Sequence, residues 1–136
     1  MKILIINGPK LNLLGTREPQ IYGNVSFEDY FETLKAEFKM DLSYFQSDKE
    51  QDLISALKTS SADGIIINAG SFTHSSVALR DCISAISIPV VEVHISNISA
   101  RESFRHESFL SPVCVGCIFG FGLKSYALAL QFFNQK

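Results

Sequence analysis

A doubly wound α/β sandwich around a five-stranded parallel sheet is predicted by three features of this 136-residue chain. Strand-length apolar runs without polar alternation recur, as at Ile3-Leu4-Ile5-Ile6, Ile65-Ile66-Ile67 and Val90 to Ile95, the pattern of strands buried on both faces. Segments of helical period separate them. Polar, glycine-bearing stretches follow the strands, where open α/β sheets place ligands. The length suits a single domain, 1–136, able to build a core without staples.

Taken in order, residues 2–7 read as a buried first strand that stops at Asn7-Gly8-Pro9. A long polar loop follows, about 9–24, of a length usually given to lids or binding loops. Ser26 suits a helix N-cap, with Glu28 and Asp29 in the first turn and Phe27, Tyr30, Phe31, Leu34 and Phe38 at helical spacing. Leu42, Tyr44 and Phe45 mark a second strand. Asp48 and Gln51 resemble a capping box ahead of Leu53, Ile54 and Leu57. After the turn at Asp63-Gly64 comes the third strand, ending at Asn68-Ala69-Gly70. A helix over 75–86 would be capped by Thr73 or Ser75 and put Val77, Leu79, Cys82, Ile83 and Ile86 toward the core. Pro89 precedes the fourth strand, Val90 to Ile95. Residues 97–111 are irregular, with a helical turn near Arg101–Arg105. Val113 to Phe119 is a fifth strand, and Leu123 to Phe133 a closing helix. Right-handed crossovers make this a flavodoxin-like three-layer sandwich.

A net charge of −2 without a basic stripe argues against nucleic acid as a partner. No apolar run is long enough to cross a bilayer, and the N-terminus reads as a strand rather than a signal peptide. Three cysteines then read as free thiols of a cytoplasmic protein.

Several residue groups have chemical potential. Arg17 lies five residues before Tyr22, and a guanidinium near a phenol favours the phenolate, a base able to take a proton alpha to a carbonyl. The plainer alternative is a solvated arginine beside a half-buried tyrosine. Glu92 and His94 share a face at the end of the fourth strand, where a carboxylate fixes an imidazole as a general acid, or a sheet-edge histidine is simply satisfied. Asn68, Gly70, Ser71 and His74 follow the third strand and suit an anion or hydroxyl. Arg101 and Arg105 could hold a carboxylate, or form a salt-bridged turn with Glu102 and Glu107. Cys114-Val115-Gly116-Cys117 has redox spacing but lies in a predicted strand, so buried structural thiols are expected. The three histidines lack zinc-ligand spacing, and Gly120-Phe121-Gly122 follows the wrong strand for a dinucleotide fingerprint.

Together these segments resemble type II 3-dehydroquinate dehydratases. The match runs through Asn7-Gly8-Pro9 to Gly23, Asn68 to Asp81, Glu92-Val93-His94-Ile95-Ser96-Asn97, Arg101 to Arg105 and Gly120-Phe121-Gly122. The resemblance implies dehydration of 3-dehydroquinate in the shikimate pathway, by anti elimination through an enolate, without metal or cofactor. It implies Tyr22 as the base, Arg17 as its stabiliser, His94 as the acid and Glu92 as its orienting partner. Asn68, His74 and Arg105 would bind ring hydroxyls, and the backbone of Ile95 and Ser96 the carboxylate. Asp81 would reach a neighbouring subunit's site in a dodecamer built from trimers. Lys10 departs from the family pattern, which has asparagine there, and Asp48 departs less seriously from a frequent asparagine. The rival that Lys10 supports is a catalytically impaired homologue kept as an oligomeric or ligand-binding protein. A flavin- or nucleotide-binding module is a third class, disfavoured because no phosphate-type glycine loop follows the first strand.

Overall fold

A computed structural model describes residues 1–13 and 25–135. Its five strands are β1 (Lys2–Asn7), β2 (Asp41–Gln46), β3 (Gly64–Asn68), β4 (Val90–His94) and β5 (Gly116–Phe119). Its α-helices are α1 (Phe27–Glu37), α2 (Glu50–Thr59), α3 (Val77–Ala85) and α4 (Lys124–Asn134). The sheet order is β2-β1-β3-β4-β5, and every neighbouring pair is parallel. This is the flavodoxin-like order expected from the sequence. It puts the topological switch between β1 and β3, where the crossovers diverge and a crevice opens beyond the strand ends.

The unalternated strands are explained by the two faces they bury. Ile3, Ile5, Ile66, Val91 and Val93 pack with Phe27 and Leu34 of α1 and Tyr126, Leu130 and Phe133 of α4. Ile6, Ile65, Ile67 and Val90 pack on the opposite face with Leu53 and Leu57 of α2 and Leu79 and Ile83 of α3. Burying each such side chain is worth about 1.5–3 kcal/mol. By the same alternation Glu92 and His94 fall on the α2/α3 side with Val90, beyond the apolar filling.

The helix starts show where local rules held. Ser26 caps α1 as expected, accepting from the Asp29 N–H at 3.2 Å. The box expected at Asp48 does not form, because α2 starts with Lys49 at its N-cap and no side-chain cap bond. Asp48 instead accepts from the Lys10 N–H at 2.9 Å and from Gln46 Nε2 at 3.1 Å. Neither Thr73 nor Ser75 caps α3. Gly70–His74 forms a 3-10 turn, and Ser76 takes the cap, accepting from the Leu79 N–H at 2.9 Å. Val77 is therefore the first residue of α3 and lies exposed rather than in the core.

The fifth strand is shorter than expected, since Pro112 sits in a 3-10 turn over Ser111–Val113. The thiols are also less buried than expected. Cys82 and Cys114 are half-buried and Cys117 is exposed, because β5 is an edge strand. Among the described residues no helix is long and apolar enough to cross a membrane.

Gly8 sits where the strand end meets the crevice. Its N–H donates to the Asn68 carbonyl at 2.7 Å, and a Cβ there would stand 2.4 Å from the Ala69 carbonyl oxygen. Backbone cannot yield as a flexible side chain can. Gly8→Ala is expected to destabilise the fold by about 3 kcal/mol, read as a lowered midpoint in urea unfolding. An unchanged midpoint would show that β1 and β3 are not so rigidly apposed.

Candidate active site

Three strand ends build one cleft. Pro9, Lys10 and Leu11 come from beyond β1, Asn68, Gly70, Ser71 and His74 from β3, and His94, Ile95 and Ser96 from β4. Ile98, Arg101 and Arg105 close the remaining side. The cleft encloses about 180 Å³, several times the roughly 30 Å³ that one water occupies.

The floor is a buried amide–phenol–amide chain. The Tyr126 hydroxyl donates to Asn7 Oδ1 at 2.7 Å and accepts from Asn68 Nδ2 at 2.9 Å. The Gly70 N–H donates to Asn68 Oδ1 at 3.3 Å. Burial pushes the Tyr126 phenol far above its ordinary range, so it serves as a neutral link and not as a base. Asn7 and Asn68 face each other in the β1–β3 register, so one tyrosine orients both.

The acid–base pair stands at the end of β4. Glu92 is fully buried and His94 nearly so, and His94 Nε2 is hydrogen-bonded to Glu92 Oε2. Ser108 Oγ donates to the same carboxylate oxygen at 2.7 Å, and Ser111 Oγ donates to the other. Burial, the largest single influence, pushes the Glu92 carboxyl up. The bonds from His94, Ser111 and Ser108 together outweigh it and hold the group below the usual carboxylate range. An ionised Glu92 accepts only, so His94 Nε2 carries the proton and Nδ1 is the nitrogen left for a ligand. Two glycines steady this strand end. Gly120 and Gly122 take φ of 99° and 64°, which lets their N–H groups donate to the His94 and Ile95 carbonyls at 3.3 and 3.0 Å.

His74 lies beside this pair, its ring centroid 6.3 Å from that of His94. His74 Nδ1 donates to the Glu107 carbonyl at 2.8 Å. Burial, helped by the neighbouring His94 and Arg105, lowers the His74 pKa despite that bond. A neutral His74 offers Nε2 as an acceptor. Of the two readings of Arg101 and Arg105, the salt-bridged turn is present, formed with Glu102. Arg105 Nε stands 3.0 Å and Arg101 Nε 3.8 Å from Glu102 Oε1, while both residues line the cleft. Arg101 also donates to Ser96 Oγ at 3.4 Å.

Asn68, His74, Ile95, Ser96 and Arg105 thus converge with His94 on the cleft, and Glu92 stands directly behind it. Asp81 does not line it and is exposed on α3. Arg17, Tyr22 and most of the expected lid lie outside the described residues. Sequence reasoning missed Ser108, Ser111 and Tyr126. Only tertiary pairing brings them to the site, so no local spacing could have marked them. It did mark Lys10 as unusual, and the backbone gives the reason. Lys10 has φ of 65°, a left-handed conformation that asparagine tolerates better than lysine.

A family model described as dehydroquinase class II matches residues 1–134. The chain belongs to that family. Among curated relatives of this dehydroquinase, the 3-dehydroquinate dehydratase of Exiguobacterium sp. is 56% identical over 134 residues, covering 96% of this chain and 92% of the relative. That of Prochlorococcus marinus strain NATL1A is 52% identical, covering 96% and 94%. The crystal structure of type II dehydroquinase from Butyrivibrio crossotus superposes with a TM-score of 0.92 at 44% identity, covering 98% of this chain and 97% of that one. The type II dehydroquinase of Propionibacterium acnes gives 0.91 at 38% identity, covering 99% and 97%.

Half-buried His74 and buried Glu92 both predict acid sensitivity of this class II dehydroquinase. His74 binds its proton less readily folded than unfolded, so its contribution is full above about pH 6.5 and falls as pH drops below it. Glu92 has a lowered folded pKa, so its contribution holds above about pH 4.5 and is lost below. Urea unfolding across pH should show His74→Asn flattening the upper window and Glu92→Gln the lower. Parallel profiles for wild type and both variants would contradict this assignment.

Proposed function

We propose that this protein dehydrates 3-dehydroquinate to 3-dehydroshikimate in the shikimate pathway, as a cofactor-free lyase acting through an enolate. The observation that carries this reading is the buried Glu92–His94 pair opening onto a cleft with arginines opposite. Near-full-length identity to relatives named 3-dehydroquinate dehydratase supports the substrate.

In the proposed mechanism Tyr22, as phenolate, takes the C2 proton, and Arg17 stabilises that phenolate. The C2–H electron pair forms the enolate. Its collapse makes the C1–C2 double bond and breaks the C1–O bond, and His94 supplies the proton with which the hydroxyl leaves as water. Glu92 holds the imidazole for that transfer, since a carboxylate behind the ring stabilises its protonated form. Asn68, neutral His74 and Arg105 bind the ring hydroxyls. The backbone of Ile95 and Ser96, beside Arg101 and Arg105, receives the substrate carboxylate. The chain acts as one catalytic domain, 1–136, with the loop at about 9–24 as its lid.

Lys10 fits this reading as a cation at the cleft, where positive charge favours an enolate. The rival of an impaired homologue rests on Lys10 alone. Assembly is part of the same proposal: a dodecamer of trimers, with Asp81 reaching a neighbour's site. Val115, Phe119 and Phe121, exposed along and beyond edge strand β5, suit a subunit contact. A reducing cytoplasm suits three free thiols.

Purified protein mixed with 3-dehydroquinate should generate the ultraviolet absorbance of the conjugated enone; silence at every pH would sink the reading. Tyr22→Phe should lower kcat by at least about 100-fold, and full activity in that variant would remove Tyr22 as base. Lys10→Asn should relieve the left-handed backbone, raising stability by about 1 kcal/mol, with kcat within tenfold of wild type. A gain of more than a hundredfold would instead mark the natural site as impaired.

A further inference from the structure

The mechanism leaves one neighbour of the acid pair unused. In the β4–β5 register Glu92 lies opposite Cys117, so the two side chains leave the same face of the sheet, and His94 leaves it two residues on. A Glu92 carboxylate oxygen, a His94 ring nitrogen and Cys117 Sγ all lie within 4.8 Å of one another.

We propose that Glu92, His94 and Cys117 form an inhibitory site for a borderline-soft divalent cation such as Zn²⁺ or Cd²⁺. The inhibitory half rests on the proposed role of His94; the binding half stands on the cluster alone. One oxygen, one nitrogen and one sulfur are a donor set that selects these ions over Mg²⁺ or Ca²⁺, which take oxygen. Bond lengths of about 2.0–2.3 Å around a tetrahedral ion put ligand atoms roughly 3.3–3.8 Å apart. Reaching that spacing requires side-chain rotation that opens the His94–Glu92 contact, and a water would complete the shell. Ser108 and Ser111 already hold the Glu92 carboxylate in place, as supporting hydrogen bonds do at metal sites. His94 lines the cleft, which gives the ion a route in.

Binding exchanges bonds cleanly. The Cys117 S–H breaks, sulfur binds the metal, and the proton goes to solvent. Burial and the Glu92 charge push that thiol up to about 11, so the metal has to displace a bound proton. The ion also replaces the proton between His94 and Glu92. An imidazole held by the metal through Nε2 keeps its remaining proton on Nδ1 as a neutral ring, a far weaker acid than imidazolium, so proton delivery to the departing hydroxyl and with it elimination are suppressed without any change of fold.

The test is titration of the full chain with Cd²⁺ under a non-chelating reductant. One equivalent should produce the ultraviolet thiolate-to-cadmium charge-transfer band. Zn²⁺ should compete it away, Mg²⁺ should not, and activity should fall with occupancy and return on adding EDTA. Cys117→Val should lose the band and need at least tenfold more metal for inhibition, with metal-free activity unchanged. Cys117→Ser should behave alike, which covers the case of valine disturbing the strand. Cys114→Ala should keep the band. No band on folded wild type, a band surviving in both Cys117 variants, or a band lost in Cys114→Ala would each overturn the site. A band with undiminished turnover would overturn the inhibitory half. A band on a protein without dehydratase turnover would leave the metal site standing and defeat the enzymatic reading.

Discussion

The parallel pairing of β1 with β3 is the contact on which the rest of this molecule depends. It aligns Asn7 with Asn68 and brings the Gly8 N–H onto the Asn68 carbonyl. Because the crossovers diverge there, the crevice follows from topology before any side chain is chosen. Apolar faces on both sides of the sheet then fix the register, since a slip of one residue would send Ile3, Ile5 and Ile66 to the wrong layer.

Within that frame one buried carboxylate sets the electrostatics. Burial alone would push the Glu92 carboxyl up, because desolvation disfavours its charge. Two serine hydroxyls and one imidazole reverse that balance. The serines come from the segment before β5, so the state of the acid pair on β4 depends on a different part of the chain. That arrangement gives His94 one settled hydrogen-bonding role and keeps its other nitrogen for chemistry.

Much of this was legible in the residues because it is local or periodic. The strands announce themselves by unbroken Ile and Val, the cap at Ser26 by its acidic first turn, and the cleft by polar residues immediately past strand ends. What failed were features decided at a distance. Asp48 has the spacing of a cap but is drawn off by Lys10 and Gln46. Cys117 has the surroundings of a buried strand residue but stands on an open edge next to Glu92. A sequence shows that Lys10 is odd; only φ shows that the position asks for a residue content in the left-handed region.

The Tyr126 bridge has a consequence for how such a chain is made. Its partner Asn7 lies 119 residues earlier, on the strand of this sheet that is made before the other four. Through most of synthesis that strand, interior in the finished sheet, carries an amide whose buried partner does not yet exist. Burying it early would leave a polar group unsatisfied, which resists premature closure of the crevice end of the sheet. The cleft therefore matures last, when α4 arrives. Any lesion that delays or loosens α4 will be felt first at Asn7 and Asn68, 119 and 58 residues before the tyrosine that binds them.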